Sequence, residues 1–361
     1  MSEFRKESIR MLAVVAVLAA AGATPAHAVE TIRLTVVASH PPQATWVKAL
    51  HETFIPKVNE ALAKSGNYKI DWNEAYSGTI VKMRADLEGI QSGLGDMGIV
   101  VTSFLPDRLP LHRLTFVTPF VSSDIQLVTG TMNALERSEP DFKKIWDRHN
   151  VVSLGLSSNV DNMFLMTKMP VKSIADLKGR KIGGGGPNLP FITVLGATGV
   201  QNTLADTYTG LATGLVEGTL LWAEAAKSFR VCEQAPYIFD PRIGASQNHA
   251  LVVNKDVWNK LPEDVRRIMT EVGPQWSFAA SQLPADLGAE ALEWCKANHK
   301  TVVTTVSPEE RAKWVAMLPN DAKKWAADLE RAGIPGNAIL KAYMDRMRAA
   351  NQPIARQWDQ E

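Results

Sequence analysis

The sequence predicts an α/β protein of two lobes, each a mixed sheet flanked by helices, followed by a helical C-terminal region. In two blocks, apolar and β-branched segments alternate with segments of helical spacing, a pattern typical of sheets covered by helices. Two further apolar segments, 150–158 and 249–254, stand between these blocks. Two such crossings would form a hinge, with a ligand cleft between the lobes.

The first block contains three predicted strands, 31–39, 68–75 and 94–101. The first of them ends in His-Pro-Pro, which is typical of a strand that enters a turn. Apolar residues at helical spacing follow this strand, and a second helix is predicted over 80–93. The alternation predicts a mainly parallel sheet with helices on its faces. A long helical stretch is expected over about 125–146.

The second block runs from Asn162 to Gln234 and repeats the alternation of strand and helix patterns. Beyond the second crossing, Pro262 fits the first turn of a helix. The chain from Trp276 to Ala350 has an almost continuous helical pattern. This pattern predicts the helical C-terminal region.

The composition excludes one class of partner and leaves the state of the cysteines open. The chain has 39 Lys and Arg against 38 Asp and Glu, so it lacks the basic excess that nucleic-acid binding usually requires. Its 45% hydrophobic and 21% charged residues are typical of globular proteins. Cys232 and Cys295 could pair in an oxidising compartment or remain buried and unpaired.

Residues 1–28 are predicted to be a secretory signal peptide. Three basic residues precede an apolar segment from Met11 to Ala21, and residues 26–28 read Ala-His-Ala, the expected cleavage pattern. An uncleaved anchoring helix is the alternative. The apolar segment is shorter than the roughly 20 residues that span a bilayer, which favours cleavage and export.

The glycine run 183–186 does not fit a nucleotide-binding loop. A dinucleotide fingerprint would need its third glycine at Asn188, and Pro187 removes an amide that would contact phosphate. The lysine followed by serine or threonine that a P-loop requires is also missing. The zinc helix H-E-x-x-H and the nucleophile elbow G-x-S-x-G are absent from the sequence. We therefore predict no enzymatic activity, no cofactor and no metal site.

Six segments occur in the order and spacing of one protein family. They are SHPPQATWVKAL, SGTIVKMRADLEGIQSGLGDMGIV, VTPFVSS, MPVKSIADLKGRKI, TGLATGLVEGTLL and ALVVNKDVWNKLPEDVRRIM. From Thr31 to beyond Met269, the sequence resembles the solute-binding proteins of tripartite ATP-independent periplasmic (TRAP) transporters, the DctP type. PVKSIADLKGRKI, LVEG and NKDVWNKLP are the most specific segments.

The resemblance implies a class II periplasmic-binding-protein-like fold, located in the periplasm. Such a receptor closes on one small organic solute and delivers it to the large and small membrane permease subunits. The resulting division of the chain is lobe I from 29–149 and 249–275, lobe II from 150–248, and a helical region, 276–361, that packs across both lobes.

The resemblance also implies that the usual carboxylate site is altered. Family members mostly hold a carboxylate with an arginine just after the LKGxKI strand, and Gly183 stands at that position. Met163 and Leu221 stand where a second arginine and an asparagine are often found. Because loss of a bidentate arginine pair weakens anion binding strongly, we predict that the ligand is not a simple C4-dicarboxylate. Either another cation holds an acid or the ligand is not chiefly an anion. Gly183→Arg is expected to introduce or strengthen carboxylate binding, because it restores the arginine found in most family members.

Several candidate ligand-binding residues have an alternative structural interpretation. Asn159 and Asn162 could hydrogen-bond a ligand or could simply form turns. Lys82 and Arg242 could replace the missing cation or could be solvated surface charges. Trp222 could stack on a ring, with Glu224 accepting from an amine or hydroxyl, or it could pack in the core. The other candidates are His40, Tyr76, Thr79, Phe120, Met163, Gly183 and Gly184.

Two other functions remain open at this point. A receptor of the same fold could report its ligand to a membrane signalling protein, and an exported enzyme could use a two-lobe scaffold. The absent catalytic motifs disfavour the enzyme. A neighbouring gene pair for membrane subunits would distinguish transport from sensing.

Overall fold

The structure is a computed structural model that describes residues 29–361, so the predicted signal peptide, 1–28, lies outside the described residues. The described chain forms one sheet of five strands and one of six, with helices against both. The predicted α/β architecture with two lobes is thereby confirmed. Within residues 29–361, no helix is both long and apolar enough to cross a bilayer.

The described part of the chain, 29–361, contains eleven strands. They are β1 (Glu30–Val37), β2 (Tyr68–Ala75), β3 (Met97–Val101), β4 (Val151–Val160), β5 (Phe164–Thr167), β6 (Lys181–Gly184), β7 (Thr198–Gln201), β8 (Gly218–Leu221), β9 (Tyr237–Asp240), β10 (Ser246–Asn254) and β11 (Val302–Thr305).

The first sheet has the strand order β2-β1-β3-β10-β4, and the second has the order β11-β9-β5-β8-β6-β7. In the first sheet β1 is parallel to both β2 and β3, as the alternating pattern predicts. β10 runs antiparallel to β3 and β4. Every residue of β3 and β10 is buried, because helices or loops cover both faces of the sheet centre.

Fourteen α-helices accompany the strands within residues 29–361. They are α1 (Thr45–Ala49), α2 (Ile55–Ser65), α3 (Asp86–Gln91), α4 (Leu114–Val117), α5 (Ile125–Ser138), α6 (Pro140–Arg148), α7 (Pro190–Thr193), α8 (Leu204–Ala212), α9 (Ala223–Ser228), α10 (Lys255–Lys260), α11 (Glu263–His299), α12 (Pro308–Met317), α13 (Asp321–Arg331) and α14 (Gly336–Ala349). A π-helical turn, Leu50–Phe54, joins α1 to α2.

Two helical predictions were too long. Of the predicted helix over 80–93 only α3 forms, because Arg84 adopts a left-handed backbone conformation (φ 71°) that a right-handed helix cannot contain. The predicted stretch over 125–146 forms two helices, α5 and α6. Pro140 holds Glu139 in an extended conformation (φ −101°, ψ 108°), which separates them.

The long helix α11 joins the two lobes. It packs against β4 and α1 of the first lobe and against α9 of the second. Gly273 permits the close approach to β4, since a β-carbon there would collide with the carbonyl oxygen of Leu154. Near the end of α11, Cys295 forms a disulfide with Cys232, which ties the helix to the second lobe.

The chain passes between the sheets at positions that differ from the predicted boundaries. β4 lies in the first sheet, so the first passage follows Val160 rather than residue 149. The second passage precedes β10, which begins at Ser246. The predicted boundary at 275/276 falls within α11, and β11 of the C-terminal region joins the second sheet beside β9. The C-terminal region is therefore only mainly helical.

Candidate ligand-binding site

A cavity with a volume of about 80 Å³ lies between the two sheets, and we call it the inner chamber. The first lobe contributes residues that follow β1 and β3 and residues within β4 and β10. The second lobe contributes the ends of β6 and β8 and the segments that follow β6, β7 and β8. Because both lobes line the chamber, a change in the angle between them would open or close it.

Three aromatic rings pack against one another in the first-lobe wall. The rings of Trp46, in α1, and His249, in β10, are stacked with centroids 4.2 Å apart and planes at 20°. His40, just after β1, meets Trp46 edge-on with a centroid distance of 4.9 Å. All three side chains are buried. These packed rings therefore give the first-lobe wall an aromatic surface.

Both histidines of this wall are neutral at neutral pH. Burial lowers the pKa of His40 to about 4. Burial, reinforced by the nearby His40, lowers the pKa of His249 well below its usual value. A neutral imidazole carries one hydrogen-bond donor and one acceptor. The wall can therefore hydrogen-bond a ligand without supplying positive charge.

On the second-lobe wall, Asn202 occupies the space beside Gly183. A β-carbon added to Gly183 would lie 3.1 Å from Asn202 Oδ1. Asn202 Nδ2 donates to Thr207 Oγ1 (3.1 Å), and the Asn202 backbone N–H donates to the Gly184 carbonyl (3.2 Å). Asn202 lines the chamber and Gly183 does not. A neutral amide thus fills the position where the resemblance predicts an arginine in most family members.

Trp222 completes the second-lobe wall, with its ring centroid 6.4 Å from that of Trp46. Trp222 Nε1 donates to Glu224 Oε2 (3.1 Å), and Ser228 Oγ donates to the same carboxylate. Burial raises the pKa of Glu224. Glu224 is not part of the chamber lining, so its contact with Trp222 orients the indole.

Five buried polar atoms of the lining residues have no hydrogen-bond partner among residues 29–361. They are Trp46 Nε1, Asn159 Oδ1, Asn188 Oδ1, Asn248 Oδ1 and His249 Nδ1. Leaving such an atom unpaired costs about 1–3 kcal/mol, so a ligand that hydrogen-bonds them would be favoured. Among residues 29–361, no Lys, Arg, Asp or Glu belongs to the lining of the inner chamber. The chamber is therefore suited to uncharged hydrogen-bonding groups.

Four of the predicted candidates line the inner chamber. They are His40, Asn159, Gly184 and Trp222. Their participation in ligand binding stays a prediction. Met163 is only 2% exposed and packs in the core rather than facing the chamber. In the described part of the chain, no group of three or more His, Cys, Asp or Glu side chains is placed to hold a metal ion.

The candidates after β2 lie outside the chamber. Tyr76 is buried, and its hydroxyl donates to Glu74 Oε2 (2.7 Å). Thr79 is exposed. Lys82 is also exposed, and its Nζ donates to the backbone carbonyl of Gly78 (2.6 Å). Lys82 therefore supplies no cation to the inner chamber.

The remaining candidates lie near the passages between the sheets. Phe120 and Arg242 border a separate cavity of about 600 Å³. Asn162 Nδ2 donates to Asp240 Oδ1 (2.7 Å), and Asn162 Oδ1 accepts from the Gly244 N–H (3.3 Å). Asn162 therefore joins the two passages rather than facing the chamber.

Trp46, Asn202, Asn248 and His249 line the chamber but were not among the candidates. The helical spacing of Trp46 indicated a core residue. The adjacent Asn248 and His249, polar residues in an otherwise apolar strand, were an available signal. The sequence contained no signal for Asn202, because only the parallel pairing of β6 with β7 brings this residue to Gly183.

A larger cavity of about 350 Å³ adjoins the inner chamber, and we call it the outer chamber. The two chambers share Ser103, Phe104, Phe116 and Pro187. Phe104 of the first lobe lies against Gly185 of the second, where an added β-carbon would be 3.5 Å from Phe104 Cε1. The glycine run thus makes room for Phe104 at the boundary between the chambers.

The chain matches known proteins over most of its length. Residues 36–328 match the family model described as bacterial extracellular solute-binding protein, family 7 (DctP). The C4-dicarboxylate-binding periplasmic protein DctP of Rhodobacter capsulatus is 23% identical over 309 residues, covering 79% of this chain and 84% of that protein.

Two solved structures have the same fold. A TRAP periplasmic solute-binding protein from Bordetella bronchiseptica, with bound (R)-mandelate and (S)-mandelate, has a TM-score of 0.76 and 19% identity, covering 88% of this chain and 99% of that one. A Bordetella pertussis extracytoplasmic solute receptor binding pyroglutamic acid has a TM-score of 0.73 and 20% identity, and the match covers 86% of this chain and 99% of that one. The predicted resemblance is confirmed: the chain belongs to the bacterial extracellular solute-binding protein family 7, the DctP family.

Proposed function

We propose that this protein is the periplasmic receptor of a TRAP transporter, capturing a small organic acid between its lobes and delivering it to the large and small membrane permease subunits. Family membership supports the receptor role. The predicted signal peptide, 1–28, supports export to the periplasm. The inner chamber, lined by both lobes, supports capture in the cleft.

The ligand is an acid other than a simple C4-dicarboxylate. The observation that carries this proposal is the uncharged lining of the inner chamber, with unpaired polar atoms and Asn202 beside Gly183. Two carboxylates buried there would lack counter-ions, and burying an unpaired charge is very costly. Small monocarboxylates with a ring, such as the mandelate and pyroglutamate bound by the two Bordetella proteins, carry only one charge and so leave an uncharged part to enter the inner chamber.

Closure of the cleft is proposed to occur at the two passages between the sheets. The segment after β4 and the segment before β10 run side by side, joined by the hydrogen bonds of Asn162 to Asp240 and Gly244. Two adjacent connections of this kind allow a hinge motion. The lobes are accordingly proposed to divide after Val160 and before Ser246.

Thermal-shift screening of the purified protein tests the receptor function. The panel contains mandelate, pyroglutamate, hydroxybenzoates, amines and polyols, with succinate and malate as the dicarboxylate comparison. We expect at least one ring-bearing monocarboxylate to raise Tm more than succinate or malate, and to be recovered unchanged by NMR. Binding of dicarboxylates alone would overturn the ligand assignment, and conversion of a ligand would overturn the receptor assignment.

Uptake in cells tests delivery to the membrane. A strain that lacks this receptor but keeps the membrane subunits should fail to accumulate the radiolabelled ligand found in the screen. Wild-type protein supplied from a plasmid should restore uptake. Unchanged uptake in the deletion strain would instead support a sensing role.

A further inference from the structure

We propose that the ligand occupies both chambers, with an uncharged hydrogen-bonding end in the inner chamber and an apolar body whose carboxylate reaches Arg84 in the outer chamber. This inference rests on the proposed receptor function and names the substrate class. The ligand is thus an elongated acid whose charge lies at the end opposite to its uncharged polar group.

The volumes of the two chambers favour a ligand that occupies both. Small-molecule sites usually have volumes of about 300–1,000 Å³. The inner chamber, at about 80 Å³, is well below this range, whereas the outer chamber, at about 350 Å³, lies within it. Ser103, Phe104, Phe116 and Pro187 belong to both linings, so the two spaces are adjacent. A ligand anchored in the inner chamber would extend into the outer one.

The outer chamber has walls suited to a ring or a short alkyl chain. Its lining includes Phe104, Phe116, Phe191, Leu318 and Trp358. Apolar and aromatic walls with a few placed polar groups are typical of sites for small organic molecules. The unpaired polar atoms belong to residues of the inner chamber, so the two chambers favour different parts of one molecule.

The exposed Arg84 places a positive charge in the lining of the outer chamber. Its guanidinium carbon lies 5.2 Å from the centroid of the Phe104 ring, which lines both chambers. Arg84 also contacts an uncharged group. With the Gln201 amide turned to satisfy both partners, the Gln201 side-chain oxygen accepts from both Nη atoms of Arg84. A guanidinium held by an aromatic face and an amide keeps its charge available for a carboxylate.

The other ionisable residues of the outer chamber are Arg113 and Asp321. With Arg84 they give the outer lining a formal excess of one positive charge. The inner lining has no ionised side chain at neutral pH among the described residues. The electrostatic difference fixes the orientation of the ligand, with the carboxylate in the outer chamber.

Paired ligands test this assignment. The probes are 4-hydroxybenzoate, 4-hydroxyphenylacetate and 3-(4-hydroxyphenyl)propionate, each with its neutral carboxamide, titrated by calorimetry. Arg84→Gln removes the charge, and Arg84→Lys keeps it without the planar guanidinium. Arg137→Gln is the matched control, because Arg137 is an exposed arginine of α5 that borders neither chamber.

We expect at least one acid to bind wild type about tenfold more tightly than its carboxamide, the effect of one charge-assisted contact. Arg84→Gln should abolish that preference, Arg84→Lys should keep part of it, and Arg137→Gln should leave it unchanged. An acid preference that survives in Arg84→Gln would overturn the inference. Binding of other compounds in the broad screen, with no binding of these six probes, would also overturn it while leaving the receptor function intact.

Discussion

The side chain of Asn202 fills the space beside the α-carbon of Gly183. A β-carbon at Gly183 would lie 3.1 Å from Asn202 Oδ1 and 3.2 Å from Asn202 Nδ2. Real β-carbons rarely approach another atom so closely, so any larger residue at position 183 requires Asn202 to move. The two positions therefore act as one unit, in which a glycine and a neutral amide stand where most family members are expected to have an arginine.

Restoring a carboxylate clamp should require both positions to change. We expect Gly183→Arg alone to bind succinate weakly, because Asn202 obstructs the new side chain. The double variant Gly183→Arg/Asn202→Ala should bind succinate at least about tenfold more tightly, since one buried charge pair contributes at least 1.4 kcal/mol. Calorimetric titration measures both, with Asn202→Ala as the control. Equal affinity of the single and double variants would show that Asn202 is no obstacle.

Removing the Trp222 ring should weaken ligand binding. Trp222 lines the inner chamber with its indole held by Glu224, so Trp222→Ala removes a fixed aromatic surface. We expect the dissociation constant to rise about tenfold for the best ligand of the screen, and less in Trp222→Phe. Trp294→Ala serves as a control, because this half-buried tryptophan of α11 lines neither chamber. An unchanged dissociation constant in Trp222→Ala would place Trp222 in packing alone.

The sequence was sufficient to predict the order of strands and helices and the two crossings. Hydrophobic periodicity and turn-forming residues determine these elements within short stretches of the chain. The sequence also placed four candidates, including His40 and Trp222, at the chamber. It could not predict Asn202 or Arg84 as neighbours of the glycine run. Their positions depend on β6–β7 pairing and on the left-handed turn at Arg84, and both are tertiary features.

The buried His40 should make stability depend on pH. Burial lowers its pKa in the folded state to about 4, below the ordinary histidine value of 6.5, so the unfolded state binds more protons between these two pH values. The contribution of His40 to the free energy of unfolding is therefore fully present above pH 6.5 and is lost as the pH falls toward 4. This contribution to stability amounts to at most about 3.5 kcal/mol.

Burial raises the pKa values of Asp86 and Glu136 to about 7, so these two carboxylates make the folded state more stable as the pH falls, opposite to His40. The effect of His40 must therefore be isolated by comparing wild type with a variant that lacks His40. Between pH 6.5 and 4.5, the free energy of unfolding of wild type should fall more than that of His40→Gln. Urea titrations at each pH measure the difference. Parallel pH profiles of the two proteins would contradict the assignment.

The disulfide should stabilise the fold without shaping the site. Cys232 and Cys295 are separated by 63 residues, and closing a loop of that length is worth about 4 kcal/mol in the chain-entropy treatment. Cys232→Ala/Cys295→Ala should lose stability of that order in urea unfolding, and reduced wild type should behave similarly. Ligand affinity should change by less than about twofold, because neither cysteine lines a chamber. A loss of stability below about 1 kcal/mol would contradict the structural role.

Calorimetric titration of the wild-type protein with succinate tests most directly whether the cleft lacks a carboxylate clamp. Asn202 lies beside Gly183, and no cationic side chain of residues 29–361 lines the inner chamber. We therefore predict a dissociation constant for succinate weaker than about 1 mM. A dissociation constant of about 1 μM or tighter would contradict it.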